Sequence, residues 1–171
     1  TSEDLGLYKT DVACKRLKVL NPDINIQGYN IRFTNNSIHL MKDVDVIIDA
    51  TDNFESRSLI NEISLLLKKP LVMGAAIKMQ GQVAVFRNDL CDMPCYNCLY
   101  DDIEDEASSC IDSGVLSTLT GIIGSLQATE AIKTLIGFGE SLESKLLLVD
   151  LKHMSFRTVK IVKDNKCKIC N

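Results

Sequence analysis

Hydrophobic residues recur along the chain with two periods, and the helical period is the clearer one. Apolar residues recur near helical spacing over Lys9–Leu20, and Asn21-Pro22 then ends the pattern. After residue 53, a second helical pattern places several apolar side chains on one face: Leu59, Ile60, Ile63, Leu66 and Leu67. A third, residues 115–136, is apolar around much of its circumference, which is typical of a helix that is buried or lies at a subunit interface.

Short apolar runs alternate with these helical patterns. Residues 44–50 and 71–77 have the composition of buried parallel strands, and residues 24–26 and 81–86 are further strand candidates. Residues 146–150 and 156–162 are predicted to form a hairpin. The alternation favours right-handed crossovers, so we predict an α/β fold with a Rossmann-like, doubly wound, mostly parallel sheet and a C-terminal antiparallel extension. We see no linker, and residues 1–171 are predicted to form a single domain.

Residues 88–113 follow neither period and are predicted to form a long loop. A loop of this length inside a compact domain is usually functional, disordered or tied down. It contains Cys95, Cys98 and Cys110, together with an acidic run at residues 101–106.

Composition and charge exclude some function classes. The 171 residues are 46% hydrophobic and 25% charged, as in an ordinary globular protein, and the net charge is −4 at pH 7. A negative chain argues against a broad nucleic-acid surface. The apolar runs are far shorter than the roughly 20 residues that span a bilayer, and no secretory leader is visible. We therefore expect a cytoplasmic protein with no nucleic-acid partner and no membrane partner.

Four of the seven cysteines form two Cys-x-x-Cys pairs, Cys95 with Cys98 and Cys167 with Cys170. Two such pairs can complete a tetrahedral four-thiolate site, which has no open position for water and is therefore structural. A secreted disulfide scaffold would be shorter and richer in cysteine. A redox protein would carry one such motif opening a helix. We predict a structural zinc ion.

Residues 49–53 form an acidic corner between a buried strand and a helix. Ligands of open α/β sheets lie beyond the carboxyl ends of strands, and a carboxylate such as Asp52 can hold Mg²⁺ against nucleotide phosphates. A second interpretation is equally open, because residues 52–55 also resemble a helix-capping box. Asp49 is the better candidate for a structural role. Lys9 begins the first helix and could reach a phosphate, although a lone lysine is more often simply solvated.

Taken together, these segments resemble the ThiF/MoeB family of adenylyltransferases, the prokaryotic relatives of ubiquitin-activating enzymes. The resemblance covers essentially the whole chain and is closest to MoeB-type members. It is carried by several segments: Asp49-Ala50-Thr51-Asp52-Asn53-Phe54 with Arg57, Pro94-Cys95-Tyr96-Asn97-Cys98, Gly121-Ile122-Ile123-Gly124-Ser125-Leu126-Gln127-Ala128, and the closing Cys-x-x-Cys pair.

This resemblance implies a reaction and a set of site residues. It implies ATP- and Mg²⁺-dependent adenylation of the C-terminal glycine of a ubiquitin-like sulfur-carrier protein that ends in Gly-Gly. The product would be ready for thiocarboxylate formation in a molybdopterin, thiamine or tRNA-thiolation pathway. By resemblance, Lys9 contacts phosphate, Asp52 binds Mg²⁺ and nucleotide with Asn53 beside it, and the two cysteine pairs bind zinc. We also expect a homodimer.

Cys110 resembles the cysteine that some members link covalently to the carrier. Its surroundings are mixed, since a nearby helix N-terminus lowers a thiol pKa and the acidic run raises it. A spare loop thiol is the other interpretation.

The chain departs from the family pattern in one respect, because it contains neither Gly-x-Gly-x-x-Gly nor a Walker A loop. The family carries its glycine-rich segment in a first β-α-β unit, which we expect to be absent from these 171 residues. Without that helix start, the isolated chain should bind ATP poorly. An alternative function is a non-catalytic, zinc-bound module for dimerisation and carrier docking. An NAD-linked oxidoreductase has little support without the glycine fingerprint.

Overall fold

The computed structural model describes residues 1–100 and 114–171, which fall into two compact units, Thr1–Phe33 and Thr34–Asn171. The first unit contains a 3-10 turn at Ser2–Asp4 and helix α1 (Lys9–Leu20), whose bounds match the hydrophobic pattern. Residues 24–26 form neither helix nor strand, so the strand predicted there is wrong. Ile24 is 45% exposed, and this run of three residues is not paired with the sheet described below.

The second unit is built on a five-stranded sheet whose spatial order is the chain order, β1-β2-β3-β4-β5. Its strands are β1 (Ile47–Asp49), β2 (Leu71–Ile77), β3 (Gln80–Phe86), β4 (Lys145–Asp150) and β5 (Ser155–Lys160). The pair β1–β2 is parallel, and the other three pairs are antiparallel. The prediction of a mostly parallel sheet is therefore wrong for the described residues, whereas the C-terminal antiparallel hairpin is confirmed.

A tight turn at Lys78 explains why the sheet changes direction after β2. The register pairs Ile77 with Gln80, so only two residues connect β2 to β3. Lys78 has φ +52°, a left-handed conformation that usually selects glycine or asparagine. Its N–H donates to the carbonyl of Gly114 (2.9 Å), and its carbonyl accepts from the N–H of Leu116 (2.8 Å). These contacts stabilise a lysine in a conformation that usually requires glycine or asparagine. The residue types of the turn itself therefore do not indicate a hairpin.

Among the residues that the structure describes, the second unit contains a 3-10 helix (Asn35–Met41) and the α-helices α2 (Phe54–Leu67), α3 (Asn97–Tyr100) and α4 (Ser117–Ile136). Helix α4 packs on β2 and β3, where Leu119 and Ile123 join Val83 and Val149 in the core. The predicted burial of α4 is confirmed only for the side that contacts the sheet. Three apolar side chains in its last turns are half exposed or more: Ile132, Leu135 and Ile136. Within the described parts of the chain, no helix has both the length and the hydropathy to cross a bilayer.

Gly74 on β2 lets helix α4 approach the sheet closely. A Cβ at this position would lie 2.3 Å from the side-chain amide carbon of Gln127. That amide is buried, and its Nε2 donates to the carbonyls of Asp49 (2.7 Å) and Val72 (3.3 Å). Gln127 therefore joins α4 to the last residue of β1 and to the second residue of β2, which fixes the strand end that the acidic corner follows.

Candidate functional site

The two Cys-x-x-Cys pairs, which lie before α4 and after β5, meet in one cluster. Their sulfur atoms all lie within 4.8 Å of one another, and three distances are 3.9 Å (Cys95–Cys98), 3.8 Å (Cys95–Cys167) and 3.5 Å (Cys98–Cys170). Around a tetrahedral metal with bonds of about 2.3 Å, sulfur atoms lie about 3.8 Å apart. The cluster therefore has the dimensions of a four-thiolate metal site, and the predicted meeting of the two pairs is confirmed.

Burial shapes the chemistry of these thiols. Cys95 and Cys167 are buried, and the other two are half-buried. Burial raises the pKa of the Cys95 thiol to about 11 and also raises the pKa of Cys170 above its ordinary value. A low-dielectric site disfavours isolated thiolates, so a bound cation is the natural counter-charge, and its binding would release protons.

A row of aromatic side chains extends from residues 94–98, the cluster loop, toward the start of α2. The ring centroids of Tyr96 and Tyr100 lie 4.8 Å apart, and Tyr100 lies 6.2 Å from Phe54. On its other side, Tyr96 packs edge-on against Phe86 at 6.1 Å. Burial raises the pKa of Tyr96 to about 12, so its hydroxyl stays protonated at neutral pH.

The acidic corner after β1 divides into a structural part and an open part. Asp49 is 1% exposed, and its Oδ1 accepts from the N–H (2.8 Å) and hydroxyl (2.7 Å) of Thr51, as expected for a structural residue. Asn53 is the N-cap of α2, and its Oδ1 accepts from the N–H of Ser56 at 2.8 Å. Helix capping is thus performed by Asn53, and the exposed Asp52 does not supply the cap.

Two cavities adjoin at this corner. The first, about 380 Å³, lies where β1 and β2 end beneath α4, and the second, about 720 Å³, lies over β3, β4 and β5. Both are lined by Asp52, Arg57, Ala75 and Ala76. An exposed carboxylate and a guanidinium therefore stand where the cavities meet, with small side chains on the sheet beside them.

Arg57 is hydrogen-bonded to the backbone of the acidic corner. Its Nη2 donates to the carbonyl of Thr51 at 2.6 Å, which connects the first turn of α2 to the end of β1. A guanidinium at this position can stabilise an anionic group in either cavity. The sequence indicated Arg57 only as part of a resemblance, because nothing in its spacing marks it as a cavity residue.

Two predicted site residues, Lys9 and Cys110, lie outside the described part of the second unit. Lys9 is exposed at the first residue of α1, in the first unit. Cys110 lies outside the described residues. The sequence interpretation also missed the buried polar residues behind the cluster loop, Asn61 and Asn88, whose contacts are described below.

The fold and site define an α/β protein with a four-thiol cluster and an acidic corner between two cavities. The model of the ThiF family matches residues 1–170, and the chain belongs to that family.

Among its relatives, the chain is 40% identical over 176 residues to the sulfur carrier protein adenylyltransferase of Thermus thermophilus, covering 99% of this chain and 65% of the relative. It is 38% identical over 175 residues to the adenylyltransferase and sulfurtransferase MOCS3 of Culex quinquefasciatus, covering 100% of this chain and 40% of that protein.

Solved structures show the same fold at much lower identity. Escherichia coli MccB crystallised with ATP has a TM-score of 0.83 and 16% identity, covering 100% of this chain and 53% of that chain. PaaA has a TM-score of 0.76 and 15% identity, covering 94% of this chain and 57% of that one. The chain thus spans about half the length of these proteins.

Proposed function

We propose that the protein adenylates the C-terminal glycine of a ubiquitin-like sulfur-carrier protein that ends in Gly-Gly, preparing it for thiocarboxylate formation. The observation that carries this proposal is the position of Asp52 and Arg57 where two cavities adjoin, in a chain of the ThiF family. The names of two relatives, a sulfur carrier protein adenylyltransferase and MOCS3, support the same reaction.

The two cavities suit the two substrates of such a reaction. The smaller would receive the nucleotide phosphates, and the larger would receive an extended glycine tail. A glycine carboxylate oxygen would attack the α-phosphorus while the bond to the β-phosphate oxygen breaks, so that pyrophosphate leaves and an acyl-adenylate forms. Arg57 would stabilise the negative charge that develops at phosphorus.

Mg²⁺ fits the acidic corner by donor chemistry. This ion takes one or two carboxylates together with phosphate oxygens, and Asp52 offers an exposed carboxylate at the cavity border. When bound, the ion would neutralise phosphate charge. Asn53 would lie beside it while capping α2.

Zinc is the ion we propose for the four-cysteine cluster. All four donors are sulfur, and their spacing matches a closed tetrahedral site, which leaves no position for water or substrate. Cys95, Cys98, Cys167 and Cys170 would therefore hold zinc for stability and not for chemistry.

Two further residues enter the proposal through the family resemblance. Lys9 would contact phosphate, and the Cys110 thiolate would attack the carbonyl of the acyl-adenylate, forming a thioester with the carrier as AMP leaves. The exposed position of Lys9 at the start of α1 leaves its ammonium group accessible to an anion.

Carrier-dependent exchange of pyrophosphate into ATP tests the proposal, measured on the complete natural protein with carriers from the three pathways. Asp52→Asn should slow the exchange by about a hundredfold or more, because a charge-stabilising group is lost. Asp92→Asn is the matched control, since Asp92 is 97% exposed and asparagine tolerates its φ of +60°. Exchange that persists in Asp52→Asn, or that is absent with every carrier, would overturn the proposal.

A docking module is the second candidate, and one observation favours it. The end of α4 leaves Ile132, Leu135 and Ile136 exposed, a surface suited to a second copy or a carrier. If the complete protein shows no exchange yet binds a carrier or forms a homodimer, this function replaces the first.

A further inference from the structure

Asn61 is a buried polar residue on the inner face of α2, which also contains the buried Ser64. It is 0% exposed and lies next to Ile60 and near Ile63, which are 5% and 4% exposed. A carboxamide in such a place is costly unless its donors and acceptor are all used. Its contacts therefore show what the residue does.

The Asn61 carboxamide holds both spacer residues of the first Cys-x-x-Cys pair. Its Oδ1 accepts from the backbone N–H of Tyr96 at 3.2 Å, and its Nδ2 donates to the Oδ1 of Asn97 at 2.9 Å. Tyr96 and Asn97 are the two residues between Cys95 and Cys98. One side chain thus fixes the backbone and the side chain of the turn that presents two sulfur atoms.

A buried network keeps Asn61 in this orientation. Asn88, which is 8% exposed, donates through its Nδ2 to the Oδ1 of Asn61 (3.2 Å) and to the hydroxyl of Ser64 (2.9 Å). The Ser64 hydroxyl in turn donates to the carbonyl of Lys69 at 2.6 Å. The network therefore joins three parts of the chain, namely α2, the residues directly after β3 and the cluster loop.

The second cysteine pair has a different environment. Its spacer residue Lys168 is exposed, and the turn that leads into the pair is closed by the N–H of Cys167, which donates to the carbonyl of Asp164 at 3.1 Å. The completely buried Asn61 thus lies behind the spacer residues of the first pair, whereas a spacer residue of the second pair is exposed.

We propose that Asn61 is a positioning residue for the four-cysteine cluster, which fixes the Cys95–Cys98 turn in its metal-binding conformation and connects it to α2. The inference rests on the proposed metal site. Groups that orient metal ligands typically change metal affinity by tenfold to a hundredfold when they are removed. Asn61 acts through the turn and is not itself a ligand in this proposal.

Metal release tests this role. The full chain is prepared with zinc, and release to a chromophoric chelator is timed. A cobalt-substituted sample reports the ligand geometry by its d–d absorption. Asn61→Leu keeps the approximate volume and removes the polar atoms, so we expect release at least about tenfold faster than wild type and an altered cobalt spectrum.

A matched control separates positioning from general destabilisation. Gln127→Leu removes another buried carboxamide, on helix α4. The Nε2 of Gln127 donates to the carbonyls of Asp49 and Val72. The substitution should lower the melting temperature while leaving metal release and the cobalt spectrum unchanged. Equal release from Asn61→Leu and wild type, or equal acceleration by Gln127→Leu, would overturn the inference.

A milder variant keeps the test decisive if Asn61→Leu does not fold. Asn97→Ala removes the acceptor of the Asn61 N–H at the half-buried first residue of α3, and it should also accelerate release, by a smaller factor. Wild-type release from Asn97→Ala contradicts the inference. Wild-type protein that takes up no stoichiometric zinc or cobalt contradicts the metal site itself, and so the two failures are distinguishable.

Discussion

Helix α2 borders two regions that differ in the burial and the hydrogen bonding of their polar side chains. At its middle, Asn61 is completely buried and bonded to Tyr96, Asn97 and Asn88. At its N-terminus, Asp52 is exposed and faces two cavities. A saturated, buried region resists change, whereas an open charged corner can accept a ligand. The contrast predicts that substitutions near the cluster act on stability and that substitutions at the corner act on turnover.

Loss of one buried sulfur should have the largest effect. In Cys167→Ser the metal site is incomplete, and a ligand present at a thousand times its dissociation constant contributes about 4 kcal/mol of stability. We expect the melting temperature of zinc-loaded protein to fall by roughly 10 °C, measured by calorimetry. Cys91→Ser, at an exposed cysteine outside the cluster, should match wild type. An unchanged melting temperature for Cys167→Ser would show that the cluster does not stabilise the protein.

Removal of the Arg57 charge should have the next largest effect and should act on turnover. Arg57→Met loses a fixed donor at the cavity border, so pyrophosphate exchange should slow by about a hundredfold, with partial recovery in Arg57→Lys. Arg87→Met is the control, because Arg87 pairs with Asp89 and Glu143 and does not line either cavity. If Arg87→Met slows exchange as much, the corner has no special role.

Gly74→Ala should disturb the contact between α4 and the end of β1. The new Cβ would lie 2.3 Å from Gln127, whose bonds to the strand carbonyls would have to break, so we expect destabilisation of about 2 kcal/mol in urea unfolding. Gly121→Ala on α4 meets nothing within 4 Å and should be neutral or stabilising by up to about 1 kcal/mol. Similar results for the two variants would show that the close approach does not matter.

Asn53→Ala should have the smallest effect. It removes the N-cap bond to the N–H of Ser56, which costs about 1 kcal/mol, whereas Asn53→Asp keeps a capping oxygen and should retain stability. Both variants are compared by urea unfolding and by pyrophosphate exchange. A loss of exchange in Asn53→Asp without loss of stability would assign Asn53 a ligand contact in addition to the cap.

The sequence predicted best those features that depend on nearby residues. Lys9–Leu20 and Leu71–Ile77 have the predicted bounds because their apolar periods are local. The four-cysteine cluster was also predictable, although Cys95 and Cys167 are 72 residues apart, because each pair is itself a local motif with few uses.

Features that depend on distant contacts were not predictable. The turn at Lys78 is held by Gly114 and Leu116, so its residue types do not reveal the antiparallel β2–β3 pair. Asn61 meets partners 27 and 36 residues away, and a polar residue in a helix pattern indicates no such role by itself. The choice between Asp52 and Asn53 as the cap likewise required the backbone geometry of α2.

The separation of 72 positions between Cys95 and Cys167 imposes an order of events when the protein is made. At a synthesis rate of about 5–20 residues per second, the first cysteine pair precedes the second by roughly 4–14 seconds. During that interval the strands β4 and β5 are also being made, since both precede Cys167. Coordination of the proposed zinc ion by four sulfur atoms would thus be possible only after every strand of the described sheet has been synthesised, which would make ion capture a late folding event.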